Sequence, residues 1–233
     1  MPGPVPPQRK PGMPTLYLIR HGQASFGADD YDVLSPIGHE QAEALGRWFA
    51  QEGIIPNLVA HGTLRRQKET LAGILKGLGI ERAAEEHPGL DEYDFGALLK
   101  AKYAAGGEPQ GMMTDHKSHF RTLRATVAEW QRDEIPNPPE TWGTFTSRVD
   151  AACTSLMRDG VETVFAVSSG GAISQAVSAL LETPGVHQTK MQLQMKNTAI
   201  TRFVYTSRNT YFHGFNETPH ITAANADRLL TYA

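Results

Sequence analysis

One cysteine in 233 residues excludes a disulfide within the chain. Cys153 lies in a helical stretch and is expected to pack in the core. A lone thiol suits a reducing compartment, so the expected location is cytoplasmic. No apolar run approaches the roughly 20 residues that span a bilayer, and no membrane partner is expected. Charge of one sign is also missing: 22 Lys and Arg stand against 25 Asp and Glu, a net charge of −3. That balance lacks the basic excess of a nucleic-acid binder. There is no acidic tail and no internal repeat. The opening residues, MPGPVPPQRKPGMP, hold six prolines and no apolar signal-peptide core. They are expected to form a flexible arm, 1–14, ahead of one domain, 15–233.

What is present is an alternation of short β-rich runs and amphipathic helices. TLYLI (15–19) reads as a strand and runs straight into the polar turn RHGQASFG. Ser35 can cap a helix with Pro36 at its first position, Gly53 at its end, and Ile37, Ala44, Leu45, Trp48 and Phe49 on its apolar face. NLVAHG gives a second strand. TLRRQKETLAGILKGLG gives a second helix, with Leu64, Leu71, Leu75 and Leu78 on one face. A helical insertion is expected at 97–141, a candidate lid. It has a glycine-rich bend at 106–111 and an apolar stripe of Phe120, Leu123, Val127 and Trp130. Further helices are expected over 141–159 and 171–182, around the strand VETVFAVS. AITRFVYT and TYFHGFN read as a hairpin. The expected fold is an α/β three-layer sandwich: a mainly parallel sheet with helices on both faces and the helical insertion.

In such a sheet the strand carboxyl ends gather on one edge. They would bring together Arg20-His21-Gly22, Arg65-Arg66, Glu92 in LDEYDFG, and Ser168-Ser169-Gly170-Gly171. Guanidiniums bind phosphate oxygens bidentately. A neutral imidazole can be a nucleophile, and a carboxylic acid can protonate a leaving oxygen. Asp91 and Asp94 compete with Glu92 for that acid role.

At these residues the sequence resembles the histidine phosphatase superfamily, also called phosphoglycerate-mutase-like. LYLIRHGQ is similar to its first-strand signature, LSPIGHEQAEALG to its next helix, LRRQKETL to the segment supplying a second arginine, and LDEYDFGAL to the segment with the acid. AVSSGGAI is similar to the last catalytic strand end, while MKNTAITRF and FNETPHI resemble the C-terminal hairpin and tail. The pieces occur in order from about residue 15 to 221. The resemblance implies phosphomonoester hydrolysis through a phosphohistidine on His21, with Glu92 as proton donor. Arg20, Arg66, Ser169, Gly170 and Gln23 would bind phosphate. Arg66, not Arg65, falls in the register four residues before the family's threonine. The implied partner is a small phosphorylated molecule, with no cofactor and no metal.

Three departures stand out. Ser169 occupies the place of the family's second histidine, Gly62 that of a serine, and Gly27 that of the mutase-type asparagine. Two alternatives stay open: a phosphoglycerate-type mutase, and a phosphate-ligand binder with little turnover. His61 could supply the missing cation or bond to backbone. Replacing Ser169 by histidine is expected to raise turnover if the pocket has kept its shape. Lys117, Arg121 and Arg124 share a helix face, either solvated or reaching an acidic substrate. His116 and His119 have a metal-compatible spacing without further support. Phe26, Tyr31, Phe95 and Trp142 are candidate pocket linings.

Overall fold

The computed structural model describes residues 12–25, 32–107 and 116–232, without the side chains of residues 116, 117 and 119. Expectations for arm residues 1–11, for Phe26, Gly27 and Tyr31, for residues 108–111 of the glycine-rich bend, and for the side chains of Lys117 and the His116/His119 pair therefore lie outside the described residues. Six strands form one sheet: β1 (Thr15–Arg20), β2 (Leu58–His61), β3 (Glu85–Glu86), β4 (Thr163–Ser168), β5 (Ile200–Tyr205) and β6 (Thr210–Glu217). Their order is β3-β2-β4-β1-β5-β6. The first four run parallel, and β5 and β6 join antiparallel. The expected hairpin is thus present, on a mainly parallel sheet.

The helices are α1 (Pro36–Gln51), α2 (Arg65–Leu78), α3 (Phe95–Lys102), α4 (His116–Trp130), α5 (Trp142–Leu156), α6 (Gly170–Leu180), α7 (Gly185–Gln192) and α8 (Ala226–Leu229). Strand side chains alternate between two cores, and both are apolar because both sheet faces are covered. Tyr17 and Ile19 pack with Leu45, Phe49, Leu71 and Ile74 of α1 and α2. Leu16 and Leu18 pack with Leu98, Val127, Trp130, Phe145 and Ile173 of α3 to α6. This is the expected three-layer arrangement, with α3 and α4 of the insertion joining the second core.

Ser35 caps α1 by accepting from the Gly38 amide. The apolar face of α1 is shifted from the expected one. Ala42, Leu45 and Phe49 are buried, whereas Ile37, Ala44 and Trp48 are half-buried. The shift follows from glycine contacts, since a Cβ on Gly46 would stand 2.1 Å from the Ile74 carbonyl oxygen of α2. Helix α7 was not expected from the sequence. Phe95 and Trp142 pack partly buried against the second core. Cys153 is buried in α5, and burial pushes its thiol up to about 12. Among the described residues no helix is long and apolar enough to cross a membrane.

Candidate active site

The register of β1 on β4 places Arg20 opposite Ser168. Beyond that pair the His21 amide donates to the Ser168 carbonyl at 3.0 Å, so the turns carrying His21 and Ser169 leave the sheet side by side. This is the edge where α/β sheets bind ligands. Gly22 lets the first turn lie against α1, because a Cβ there would stand 2.6 Å from the Gly38 carbonyl oxygen.

His21 is buried and its ring is fixed. Nδ1 lies 2.8 Å from the Gly22 carbonyl oxygen, which can only accept, so Nδ1 carries the hydrogen. Nε2 accepts from Arg66 Nε at 3.2 Å. Burial, then the Arg66 and Arg20 charges, hold this imidazole well below its ordinary pKa. The ring is therefore neutral, with a lone pair on Nε2 beside a cation. Arg20 is buried and donates through Nη1 to the Met195 carbonyl.

Arg66 sits in the first turn of α2. Its backbone carbonyl accepts from Thr70 Oγ1 at 2.7 Å, and that oxygen accepts from the Gly22 amide at 2.9 Å. The second helix is thereby tied to the first turn. Nη1 of Arg66 also donates to Asp32 Oδ1 at 2.7 Å, a carboxylate that sequence reasoning missed. Arg65 instead points outward and pairs with Glu69 at 2.8 Å. This agrees with the register argument for Arg66.

Glu92 does not follow a strand end directly, as the sequence suggested. It follows β3 by six residues, past a 3-10 turn at Pro88–Leu90. Its Oε2 accepts from the Gly171 amide at 2.8 Å and its Oε1 from the Tyr93 amide at 3.2 Å. Desolvation raises its pKa against those bonds and against the Arg66 and Arg20 charges. Gly171 has no alternative here, since a Cβ would stand 2.1 Å from Glu92 Oε1. The two competitors are engaged elsewhere. Asp91 accepts from the Thr63 amide and hydroxyl, each at 2.6 Å, and Asp94 caps α3 through the Ala97 amide at 2.8 Å.

Gly170 begins α6, one residue before the expected start, and Ser169 is its N-cap residue, although the Ser169 side chain makes no capping bond. Ser169 Oγ accepts instead from Gln67 Nε2 at 2.9 Å. The Gln23 side-chain carbonyl accepts from the Ser35 hydroxyl at 2.8 Å, so that atom fixes the entry to α1. His61 Nδ1 lies 2.7 Å from the Gly62 carbonyl oxygen, which is the backbone role of the two considered. Arg121 and Arg124 line a groove of about 720 Å³ between α4 and α7, together with Lys190. Among the described residues no group of three or more His, Cys, Asp or Glu could hold a metal ion.

A neutral imidazole nitrogen, two buried guanidiniums and a carboxyl inclined to keep its proton therefore share one edge. The family model of the histidine phosphatase superfamily (branch 1) matches residues 16–218. A 2,3-bisphosphoglycerate-dependent phosphoglycerate mutase of Chelativorans sp. (strain BNC1) is 34% identical over 91 residues, 36% of this chain and 44% of that one. The mitochondrial serine/threonine-protein phosphatase PGAM5 of Xenopus laevis is 42% identical over 65 residues, 27% and 24% of the two chains. The matches thus span less than half the length of these curated relatives. A phosphoserine phosphatase variant of Entamoeba histolytica, solved with phosphoserine, superposes with a TM-score of 0.64 at 20% identity. That superposition covers 90% of this chain and all of that one, and at such identity it establishes the fold.

Proposed function

The chain belongs to the histidine phosphatase superfamily, and from that premise we propose that it hydrolyses phosphomonoesters through a phosphohistidine on His21. The observation that carries this reading is the state of His21: Nδ1 holds the hydrogen, and the Nε2 lone pair, which accepts from Arg66 Nε, is released to attack when that donor turns to a phosphoryl oxygen. Arg66 exchanges its Asp32 oxygen for phosphoryl oxygens, and Arg20 holds the phosphoryl group from the β1 side. Nε2 forms the P–N bond as the P–O bond to the leaving group breaks. Protonated Glu92 gives its proton to that leaving oxygen. The resulting carboxylate then takes a proton from water, whose oxygen attacks phosphorus and releases phosphate and neutral His21. The two guanidiniums stabilise the charge on the transferring group.

The substrate class is a small phosphorylated molecule, in keeping with the phosphoserine complex of the structural neighbour. Hydrolysis is favoured over the mutase activity in the Chelativorans relative's name, because Gly27 stands where the mutase branch carries asparagine. The test is phosphate release from p-nitrophenyl phosphate at pH 5–8, with mass spectrometry of the protein quenched in alkali. Wild type is expected to turn over and to carry one phosphoryl group on His21, and His21→Ala to do neither. Transfer between phosphoglycerates without phosphate release would establish a mutase. Phosphate binding with neither turnover nor phosphohistidine would establish a binding protein.

A further inference from the structure

Two of the departures noted in the sequence, Gly62 and Ser169, touch the same side chain. Gln67, one residue after Arg66 on α2, is completely buried. Its Nε2 donates both of its hydrogens, to the Leu90 carbonyl at 3.0 Å and to Ser169 Oγ at 2.9 Å. The Leu90 carbonyl can only accept, so Nε2 faces it, and Oε1 is left buried without a hydrogen-bond partner. Gln67 Oε1 lies on the other side, where a Cβ on Gly62 would stand 2.0 Å from it. The absence of a side chain at 62 is what admits Gln67, and Gln67 is what holds Ser169.

The direction of the Gln67–Ser169 bond has a chemical consequence. A serine hydroxyl has one hydrogen to give and two lone pairs. Ser169 Oγ uses a lone pair to accept from Gln67, and this is its only side-chain hydrogen bond among the described residues. Its hydrogen is therefore uncommitted, on a fully buried residue, beside the turn of His21 and at the head of the helix that holds Glu92. Ser168 differs, since its hydroxyl hydrogen is given to the Leu90 carbonyl at 2.7 Å. A buried donor without an acceptor is costly unless a ligand supplies one.

We propose that Ser169 donates its hydroxyl hydrogen to an oxygen of the bound phosphoryl group and that Gln67 is the positioning residue that aims it, with Gly62 providing the room. The proposal rests on the reading above in needing a phosphoryl group at this edge. The pair supplies a neutral, preorganised donor, of the kind whose loss from an oxyanion site costs on the order of 10²–10³ in rate.

Orthovanadate, which mimics the five-coordinate phosphoryl group, separates this proposal from the question of turnover. Its affinity is measured by calorimetry for wild type, Ser169→Ala, Gln67→Met and the double variant, alongside kcat and KM for p-nitrophenyl phosphate. Thermal melting establishes that each is folded, and Gln67→Leu stands in if Gln67→Met is not. Each single variant is expected to weaken vanadate binding at least about tenfold and to lower kcat about 10²-fold with KM little changed. The double variant should be no worse than the poorer single, because one donor is lost either way. Losses that multiply in the double variant overturn the pair, as does full affinity in either single variant. A wild type that binds vanadate in this pair-dependent way but releases no phosphate leaves the pair standing and removes the phosphatase reading. A wild type that does not bind vanadate removes both.

Discussion

His21 and Glu92 are displaced from their ordinary pKa values in opposite directions, and both displacements suit the proposed steps. Burial and two guanidiniums keep His21 neutral at pH values where a free histidine is half protonated. Burial keeps the proton on Glu92 above the usual carboxyl range. With an alkyl phosphate such as glycerol 2-phosphate, whose leaving oxygen needs a proton, kcat should fall as pH rises through the raised Glu92 value. It should show no acid limb near 6.5. Glu92→Gln should cost at least about 10² with this substrate and much less with p-nitrophenyl phosphate, whose leaving group needs little help. Equal losses with the two substrates would remove Glu92 from the proton-donor role.

The same displacements govern stability. His21 and His220 both have lowered folded values, that of His220 about 4 through desolvation. Their contribution is present above 6.5 and is lost as pH falls toward those values. Glu92 acts the other way: its contribution is present below the ordinary carboxyl value and is lost as pH rises through its raised one. His220→Gln, read by melting temperature against pH, should flatten the decline between pH 6.5 and 4. Much of this scale is legible in sequence, because the motif register already separates Arg66 from Arg65. Asp32 and Gln67 are not legible, since a polar residue in a loop or a helix's first turn reads as solvent-facing until tertiary contacts engage it. Their contacts also change one expectation. An imidazole at 169 would enter the space from which Gln67 donates, so Ser169→His alone is expected to lower turnover. Combined with Gln67→Ala it should recover, and the kcat values of the two variants decide.

At the scale of elements, helix ends and close approaches do most of the positioning. Ser35 caps α1 and also fixes Gln23, so Ser35→Ala should cost about 1 kcal/mol in denaturant unfolding. Gly171→Ala should be worse for activity than for folding. The added methyl must displace Glu92 and the Tyr93 ring, 2.1 and 2.6 Å from the ideal Cβ. The expected readout is loss of alkyl-phosphate turnover with vanadate affinity largely kept. Helices with a clear apolar stripe, such as α2, can be read from sequence. Helix α7 cannot, because GVHQTKMQ offers only Val186 and Met191 as apolar residues. It is held by tertiary polar bonds, Gln131 to the Gly185 carbonyl at 3.1 Å and Gln188 to the Gly171 carbonyl at 3.1 Å.

At the scale of the molecule, the insertion and the site are joined through aromatic packing. Tyr93, next to Glu92, lies 5.1 Å from Trp130 of α4 and 5.6 Å from Phe145 of α5 between ring centroids. Trp130 also donates its indole hydrogen to the Glu140 carbonyl at 2.8 Å. Trp130→Ala should cost about 3–5 kcal/mol of stability and weaken the Glu92-dependent turnover of alkyl phosphates more than that of p-nitrophenyl phosphate. Strand order was the least legible feature. Nothing in the local pattern of VETVFAVS says that it inserts between β1 and β2, yet that insertion brings Ser169 beside His21. Only the in-order motifs, and through them the family resemblance, carried that long-range information.

The buried thiol of Cys153 also has a practical use. It is the chain's single cysteine, and at about 12 almost none of it is the thiolate that reacts with maleimides near neutrality. The native protein is therefore a thiol-silent background for site-specific labelling. At pH 7, intact-mass measurement should find wild type unmodified until it is denatured. Arg124→Cys, on the exposed side of α4, should take up a single label. A fluorophore or spin probe attached there would report directly on motion of the insertion as vanadate binds, with no background cysteine to remove.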